Sequence, residues 1–363
     1  MLRRTIFLTL AALGVFFEGR GQCLAPFQDI NNFSYVFDAG ESKYLESLPL
    51  LSYKVGRNNI MAYIAPNGRL KAYYKGRIYT ITDNTPNYYM TDNWFLYQNF
   101  NVIKVLYNGE FKSLENQFRP GTDSLYYSDS LVVWTNALGE LNVFYNGQTQ
   151  TIERTDIRRA KISQNIFAYM DQGGNFKVFY QGQVQTLETF EPTNYVPGQN
   201  VMIYFDQYNN LKYFRNGQVE ETSTPAPAEY RVGKDFVAYI SQLKQLVVYY
   251  NGEETVLMDD HPLKWTVHKN MLVYEDNGNN FWCWYNGKKY WLERFLPQSY
   301  KVDNDIVVYK DLDGRLQALY YGEQVEVSDQ IVSDYNLYNE AVTYSLHPYE
   351  TTVWCNKKRY LFK

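Results

Sequence analysis

The sequence predicts an all-β fold made of about ten copies of a 35-residue, four-stranded unit, and three observations predict it. First, a segment of the shape Asn-apolar-x-x-Tyr recurs, with its aromatic residue at Tyr63, Tyr97, Trp134, Tyr169, Tyr204, Tyr239, Tyr274, Tyr309 and Tyr344; after steps of 34 and 37 the spacing is 35 six times running. Second, the glycine of a Tyr-Asn-Gly turn keeps the same phase at Gly76, Gly109, Gly147, Gly182, Gly217, Gly252, Gly287 and Gly322. Its next step falls on Lys357, and the 13-residue offset between the markers also fits Phe27 and Gly40, which adds a tenth unit at the N-terminus. Fixed periods of this kind mark repeat architectures. Third, aromatic residues make up 18% of the chain, 36 of them tyrosine, and tyrosine suits strands because its ring packs on a pleated surface while its hydroxyl reaches a polar partner.

Within one unit each strand has its own signal. Tyr230-Arg231-Val232 reads as strand A, followed by a turn at Gly233-Lys234-Asp235. Phe236 to Ile240 is strand B, Leu246 to Tyr250 strand C and Glu254 to Met258 strand D. Asn251-Gly252 joins C to D as a type I′ hairpin, whose two central residues need positive φ. Strand C carries apolar residues on both faces, Leu246 and Val248 on one and Tyr249 on the other, as expected of a sheet stacked between two neighbouring sheets. Short four-stranded units with one aromatic and one glycine signature each are the pattern of a closed β-propeller; the alternative is an open β-repeat solenoid of the same units. The Pro-rich stretch 222–227 fits inside the 35-residue step and is a loop between units, so residues 22–363 form one domain.

The chain opens with Met1-Leu2-Arg3-Arg4, an apolar run from Thr5 to Phe17, and small residues at Gly19 and Gly21. This predicts a signal peptide over residues 1–21 and a periplasmic or secreted protein. The run is too short to span a bilayer, and no later segment approaches 18 apolar residues. Cys23 then follows the cleavage point, in a poor context for lipid attachment. Of the three cysteines, Cys23 and Cys355 belong to the first and last units, which a closed ring brings together, so a Cys23–Cys355 disulfide is one reading and three buried thiols the other. The first unit starts at strand B and lacks strand A.

Net charge −4 and pI 5.6 argue against a nucleic-acid partner. No catalytic, cofactor-binding or metal-binding set emerges. His261, His268 and His347 lack metal or triad spacing. Asp311-Leu312-Asp313-Gly314 occupies the B–C turn, where turn chemistry accounts for it. Glu46, Glu115, Glu153, Glu188 and Glu293 recur at the end of strand D and read as solvated rim charges. The middle of strand A is often basic, at Lys54, Lys161, Arg231 and Lys301, and almost never acidic, whereas glycoside hydrolysis needs two placed carboxyl groups. Two residues break the pattern: Trp282 and Trp291 stand where other units carry Lys71, Lys177 and Lys212, or Thr80, Thr151 and Thr186. Across a two-residue turn they oppose each other, so with Tyr290 they form a candidate binding patch.

The unit Asn-apolar-x-x-Tyr-x-Asp … Tyr-Asn-Gly-x-x-x-x-Leu-Glu resembles the propeller repeats of secreted proteins from Bacteroidota-type bacteria, over nearly the whole chain. That resemblance carries no catalytic residues. It implies a non-enzymatic periplasmic interaction module, an accessory subunit of an envelope or secretion complex such as the soluble plug of the type IX secretion translocon, with a protein partner in an outer-membrane complex and no cofactor. A lectin-like propeller that binds polysaccharide through aromatic platforms is the alternative. One tryptophan pair in ten units favours a single protein-docking surface over a ring of sugar sites.

Overall fold

A computed structural model describes residues 23–83, 87–222, 224–347 and 350–363; the signal peptide read over residues 1–21 lies outside the described residues. Every regular element described is a strand, thirty-nine in all, arranged in ten antiparallel sheets whose strands are hydrogen-bonded in chain order. Nine sheets have four strands, A to D, and the first has three: Leu24–Gln28, Ser34–Asp38 and Glu41–Glu46, corresponding to B, C and D. The repeat is therefore a ring of ten blades and not a solenoid. In the seventh blade the strands run Glu229–Val232, Phe236–Ile240, Leu246–Tyr250 and Glu253–Met258, within one residue of the boundaries read from the sequence.

The core lies between blades. Strand B is buried along its length in most of them, as in Phe236–Ile240. Strand C divides its side chains as expected: Leu246 and Val248 pack towards Trp265 and Trp284 of the eighth blade, while Tyr249 packs towards Ile203 and Tyr213 of the sixth. The two sequence markers now have physical roles. The Asn before strand B belongs to a chain of side-chain hydrogen bonds from blade to blade, with Asn165 donating to Asn200 at 2.9 Å and Asn200 to Asp235 at 2.5 Å. The marker tyrosine is buried between blades and in several of them ties back to the preceding one: Tyr204 donates to Glu188 (3.0 Å), Tyr309 to the Leu292 carbonyl (3.0 Å) and Tyr344 to that of Val327 (3.2 Å), whereas the buried hydroxyls of Tyr169 and Tyr274 have no partner among the described residues.

The C–D turns are type I′, with Asn251 at φ 53° and Gly252 at φ 87°. In the tenth blade Lys357 takes the glycine position at φ 62°. A side chain in the left-handed region is strained by about 1–2 kcal/mol, and the Lys357 contact with Glu323 is a surface ion pair worth little. Lys357→Gly should therefore raise stability by about 0.5–1 kcal/mol, read as a higher denaturation midpoint at unchanged slope.

The ring closes without sharing a strand between its ends. Cys23 and Cys355 are joined by a disulfide, Cα–Cα 6.0 Å, linking the first blade to the tenth across 332 residues. Around it Phe27 packs on Phe362 (ring centroids 4.6 Å) and Phe37 on Tyr360 (4.9 Å). Cys283 is a free, buried thiol.

Candidate functional site

Side chains expected to be free surface charges turn out to hold blades together, and this narrows where a site can be. The strand-D glutamates are the first correction. Glu46 accepts from Lys71 (2.6 Å) and Tyr63 (3.4 Å) of the next blade, Glu153 from Lys177 (3.1 Å), Glu188 from Lys212 (2.9 Å), and Glu115 from the Trp134 indole (3.4 Å). Their reading as solvated rim charges fails at four of the five because the next blade brings a donor over each: a lysine and a tyrosine over Glu46 and Glu188, a lysine over Glu153 and the Trp134 indole over Glu115; Glu293 bonds the Arg294 backbone.

The strand-A bases are engaged in the same way. Lys54 donates to the Tyr88 carbonyl (3.2 Å) and Lys161 to that of Tyr195 (2.6 Å); Arg231 and Lys301 do the same to Trp265 and Tyr335. Each cation also lies over the aromatic ring of its partner, at 4.6, 4.7, 4.0 and 4.9 Å from the centroid. The inner strands are thus laced together by contacts of a kind that strengthens as water is excluded.

The tryptophan patch resolves unequally. Trp282 and Trp291 are paired directly across strands C and D, as the turn length requires. Trp291 is half exposed, whereas Trp282 donates its indole N–H to Asp276 (2.7 Å) and is covered by Lys289 at 4.1 Å. Tyr290 packs into the interface with the ninth blade. The shared indole face expected from the sequence is therefore reduced to one ring, Trp291. Trp282 fills the place of the blade-locking lysine, and the preceding blade has Met258 where others have the acceptor glutamate; both pack on the same apolar cluster. Trp282→Lys should cost about 1–3 kcal/mol, because it buries a cation against Met258. Adding Met258→Glu should recover more than half of the loss, a coupling that a double-mutant cycle of melting data measures directly.

At the end of the ring where the A–B turns gather, charges meet across the axis. Lys269 of the eighth blade bonds Asp92 of the third at 2.5 Å and lies 3.9 Å from Asp129 of the fourth. Arg57 of the second blade bonds Asp305 of the ninth (3.0 Å) and Glu340 of the tenth (2.8 Å). Close approach of neighbouring turns requires glycine there: a Cβ on Gly198 would sit 2.3 Å from the Gly233 carbonyl. Among the described residues no group of three His, Cys, Asp or Glu side chains is placed to hold a metal ion, and His261 and His268 bond separately, to Glu229 and Thr266.

What remains open is a cavity of about 560 Å³ between the first and tenth blades. Its walls are Pro26 to Asp29 of the first blade, Asp334 to Asn336 of the innermost strand of the tenth, and Tyr53 and Tyr338, whose hydroxyls meet at 2.8 Å. Tyr53 belongs to the second blade, so at this level the second and tenth blades touch directly, where any other pair of blades two apart has an inner strand between them. The cavity lies where the described residues of the first blade include no strand A; nothing in the sequence pointed to the cavity itself, since no local signal marks a place where a repeat is incomplete.

No helix among the described residues is long and apolar enough to cross a membrane. No curated protein matches the sequence. Solved structures that resemble the chain include a computationally designed protein, Ika8 (17% identity, covering 83% of this chain and 100% of that one, TM-score 0.33). Another is Kluyveromyces lactis Hsv2p (12%, 74% and 92%, TM-score 0.32). A third is PorZ of Porphyromonas gingivalis, described as a surface component of its type-IX secretion system (11%, TM-score 0.30). The match covers 76% of this chain but only 44% of PorZ. A family model described as a 10-bladed beta propeller domain matches residues 18–360, and with ten blades closed into a ring, the chain belongs to the ten-bladed β-propeller family.

Proposed function

We propose that this protein is an exported, non-enzymatic docking module that binds a protein partner in the periplasm or outside the cell, as an accessory subunit of an envelope or secretion complex. The observation that carries this reading is the cavity between the first and tenth blades. Among the described residues it is the one break in an otherwise repeated inner ring, and it is walled by a strand edge and by hydroxyl, amide and carboxylate groups suited to a polypeptide. The resemblance of the repeat to propellers of secreted Bacteroidota-type proteins is in keeping with the address; a place in the type IX secretion apparatus is the finer form of the proposal and depends on who the partner is. A carbohydrate-binding role has less support, because the aromatic platform has come down to a single exposed indole.

The test is cross-linking in the native envelope followed by affinity purification of the tagged, exported chain. The expected result is one partner protein in stoichiometric amount, lost when Asp334 and Asn336 in the cavity wall are both replaced by alanine and unaffected by free sugars. Elution by free sugar, or recovery of the chain alone, would overturn the proposal.

A further inference from the structure

Among the described residues the first blade offers an unpaired strand edge, and the rest of the ring defines what belongs against it. The Cys23 carbonyl accepts the Ala39 N–H, so Cys23, Ala25 and Phe27 turn their backbone groups towards strand C. Leu24, Pro26 and Gln28 turn theirs the other way, to the inner side. The corresponding residues of the second blade, Ile60, Ala62 and Ile64, pair with strand A, as when Gly56 donates to the Ile60 carbonyl at 2.8 Å. In the first blade no described strand occupies that side.

We propose that this edge receives a short extended segment of a partner protein as the blade's fourth strand, and that the segment carries an aromatic residue followed by lysine or arginine. The inference rests on the docking role proposed above and specifies its chemistry. Strand addition of this kind draws affinity from the backbone and specificity from alternate side chains.

Three features argue for such a partner. Pro26 comes first. At its register the other nine blades carry Ala62, Leu96, Val133, Ala168, Ile203, Ala238, Val273, Val308 and Thr343. Proline has no N–H to donate and is confined to edges within sheets. Here it blunts the edge against indiscriminate pairing, yet leaves the Pro26 carbonyl and both backbone groups of Gln28 for an entering strand.

The second feature is the lacing of the inner ring. Tyr88, Tyr195, Trp265 and Tyr335 each have a cation from the preceding blade over the ring and on the carbonyl. Tyr53 holds the same position in the second blade, and among the described residues no cation lies over it. A base two places into an added strand lies where Lys54 lies relative to Tyr88. The basic position is filled in the second, fifth, seventh and ninth blades, whereas the third, fourth, sixth, eighth and tenth have Tyr89, Tyr126, Val196, Thr266 and Asn336 there. Charge is the third feature. The cavity wall contains two carboxylates, Asp29 and Asp334, and no lysine or arginine; Lys301 and Lys310, which touch the wall, are already engaged, by Tyr335 and Asn336 and by the Ser333 carbonyl. Entry of a strand parts the Tyr53–Tyr338 hydroxyl contact, a single bond that the incoming backbone replaces.

The probe is a fluorescent peptide, Gln-Ser-Tyr-Lys-Val-Asp, which copies residues 298–303 of this chain's own ninth inner strand. It is titrated against the exported protein by anisotropy, with amide exchange followed at Gln28. The expected result is saturable binding and slowed exchange at Gln28. Lysine to alanine in the peptide should weaken binding about 3- to 30-fold. Pro26→Ala, which restores an edge N–H, should tighten it about 2- to 10-fold, a gain that an acidic groove without strand pairing does not produce. Should Pro26→Ala fold poorly, Asp334→Asn must weaken the peptide and leave the lysine-free peptide unchanged. The proposal is overturned by absence of binding up to about 1 mM, by self-association of the protein that competes with the peptide, or by a Gln28 amide already protected before peptide is added because residues N-terminal to Cys23 remain and fill the edge. If the peptide fails while the cross-linked partner persists, only the strand mode is lost; if both fail, the docking role goes with it.

Discussion

Replacing Cys23 and Cys355 together with alanine should lower stability by about 2–5 kcal/mol, the largest loss expected of any change outside the central charges. The bond closes 332 residues, and in the chain-entropy model stabilisation grows with the logarithm of that length. Topology makes the dependence stronger. Among the described residues each blade is built from one continuous segment, and no strand from one end of the chain completes a sheet begun at the other. Without the disulfide, the first blade is held to the tenth by the Phe27–Phe362 and Phe37–Tyr360 contacts and their neighbours. Its strand B is also an edge, so the first blade should open before the rest. Thermal melting with and without reductant reads the loss, and amide exchange should place the earliest opening in residues 24–46. A single cooperative transition shifted by less than about 1 kcal/mol would show that the aromatic contacts suffice.

How far the sequence foretold this molecule depended on whether a feature repeats. Blade number, strand order, the turn at Asn251-Gly252 and the opposition of Trp282 to Trp291 all follow from period and offset, since each position is sampled about ten times. The closing cysteines were legible for a related reason: the repeat assigned them to the first and last units. Inter-blade contacts were not legible. Lys71 and Glu46 lie 25 residues apart, and the pairing appears only once blades are stacked; seen one at a time, each looks like a surface charge. Trp282 was misread through the same blindness, because its meaning depends on Met258 in the blade before. The cavity was harder still. It arises where the described residues hold an inner strand in nine blades and none in the first, and absence leaves no residue to recognise.

Arg57→Met should cost about 3–5 kcal/mol, and the reason is the same incomplete blade. Because the first blade has no described inner strand, the second and tenth blades are joined across it by Tyr53 with Tyr338 and by Arg57 with Glu340, and Arg57 reaches on to Asp305 of the ninth. Glu340 is 1% exposed, and its Oε2 has no hydrogen-bond partner among the described residues. Burial opposes the arginine's charge, but the hydrogen bond it donates to Glu340 and the fields of Tyr321 and Asp305 outweigh it and raise the Arg57 pKa. Removing the cation strands a buried carboxylate, the situation in which breaking a pair is most damaging. The opposite sign is expected at the other central pair. Lys269 faces Asp92, Asp129 and, further off, Asp303, an excess of acids over one base. Burial and the Asp92 charge raise the Asp129 pKa, against the pull of Lys269. A carboxyl group that holds its proton more tightly folded than unfolded destabilises the fold once ionised, so its burden is felt above the folded pKa and fades as pH falls towards the unfolded value near 4. Asp129→Asn keeps an oxygen to accept the Asp92 N–H (2.9 Å) and should raise stability at pH 7 by about 1 kcal/mol, a gain absent at pH 4. Denaturant midpoints of the two variants at both pH values test the pair: a loss for Asp129→Asn at pH 7, or no loss for Arg57→Met, would show that the central charges do not close the ring as their geometry indicates.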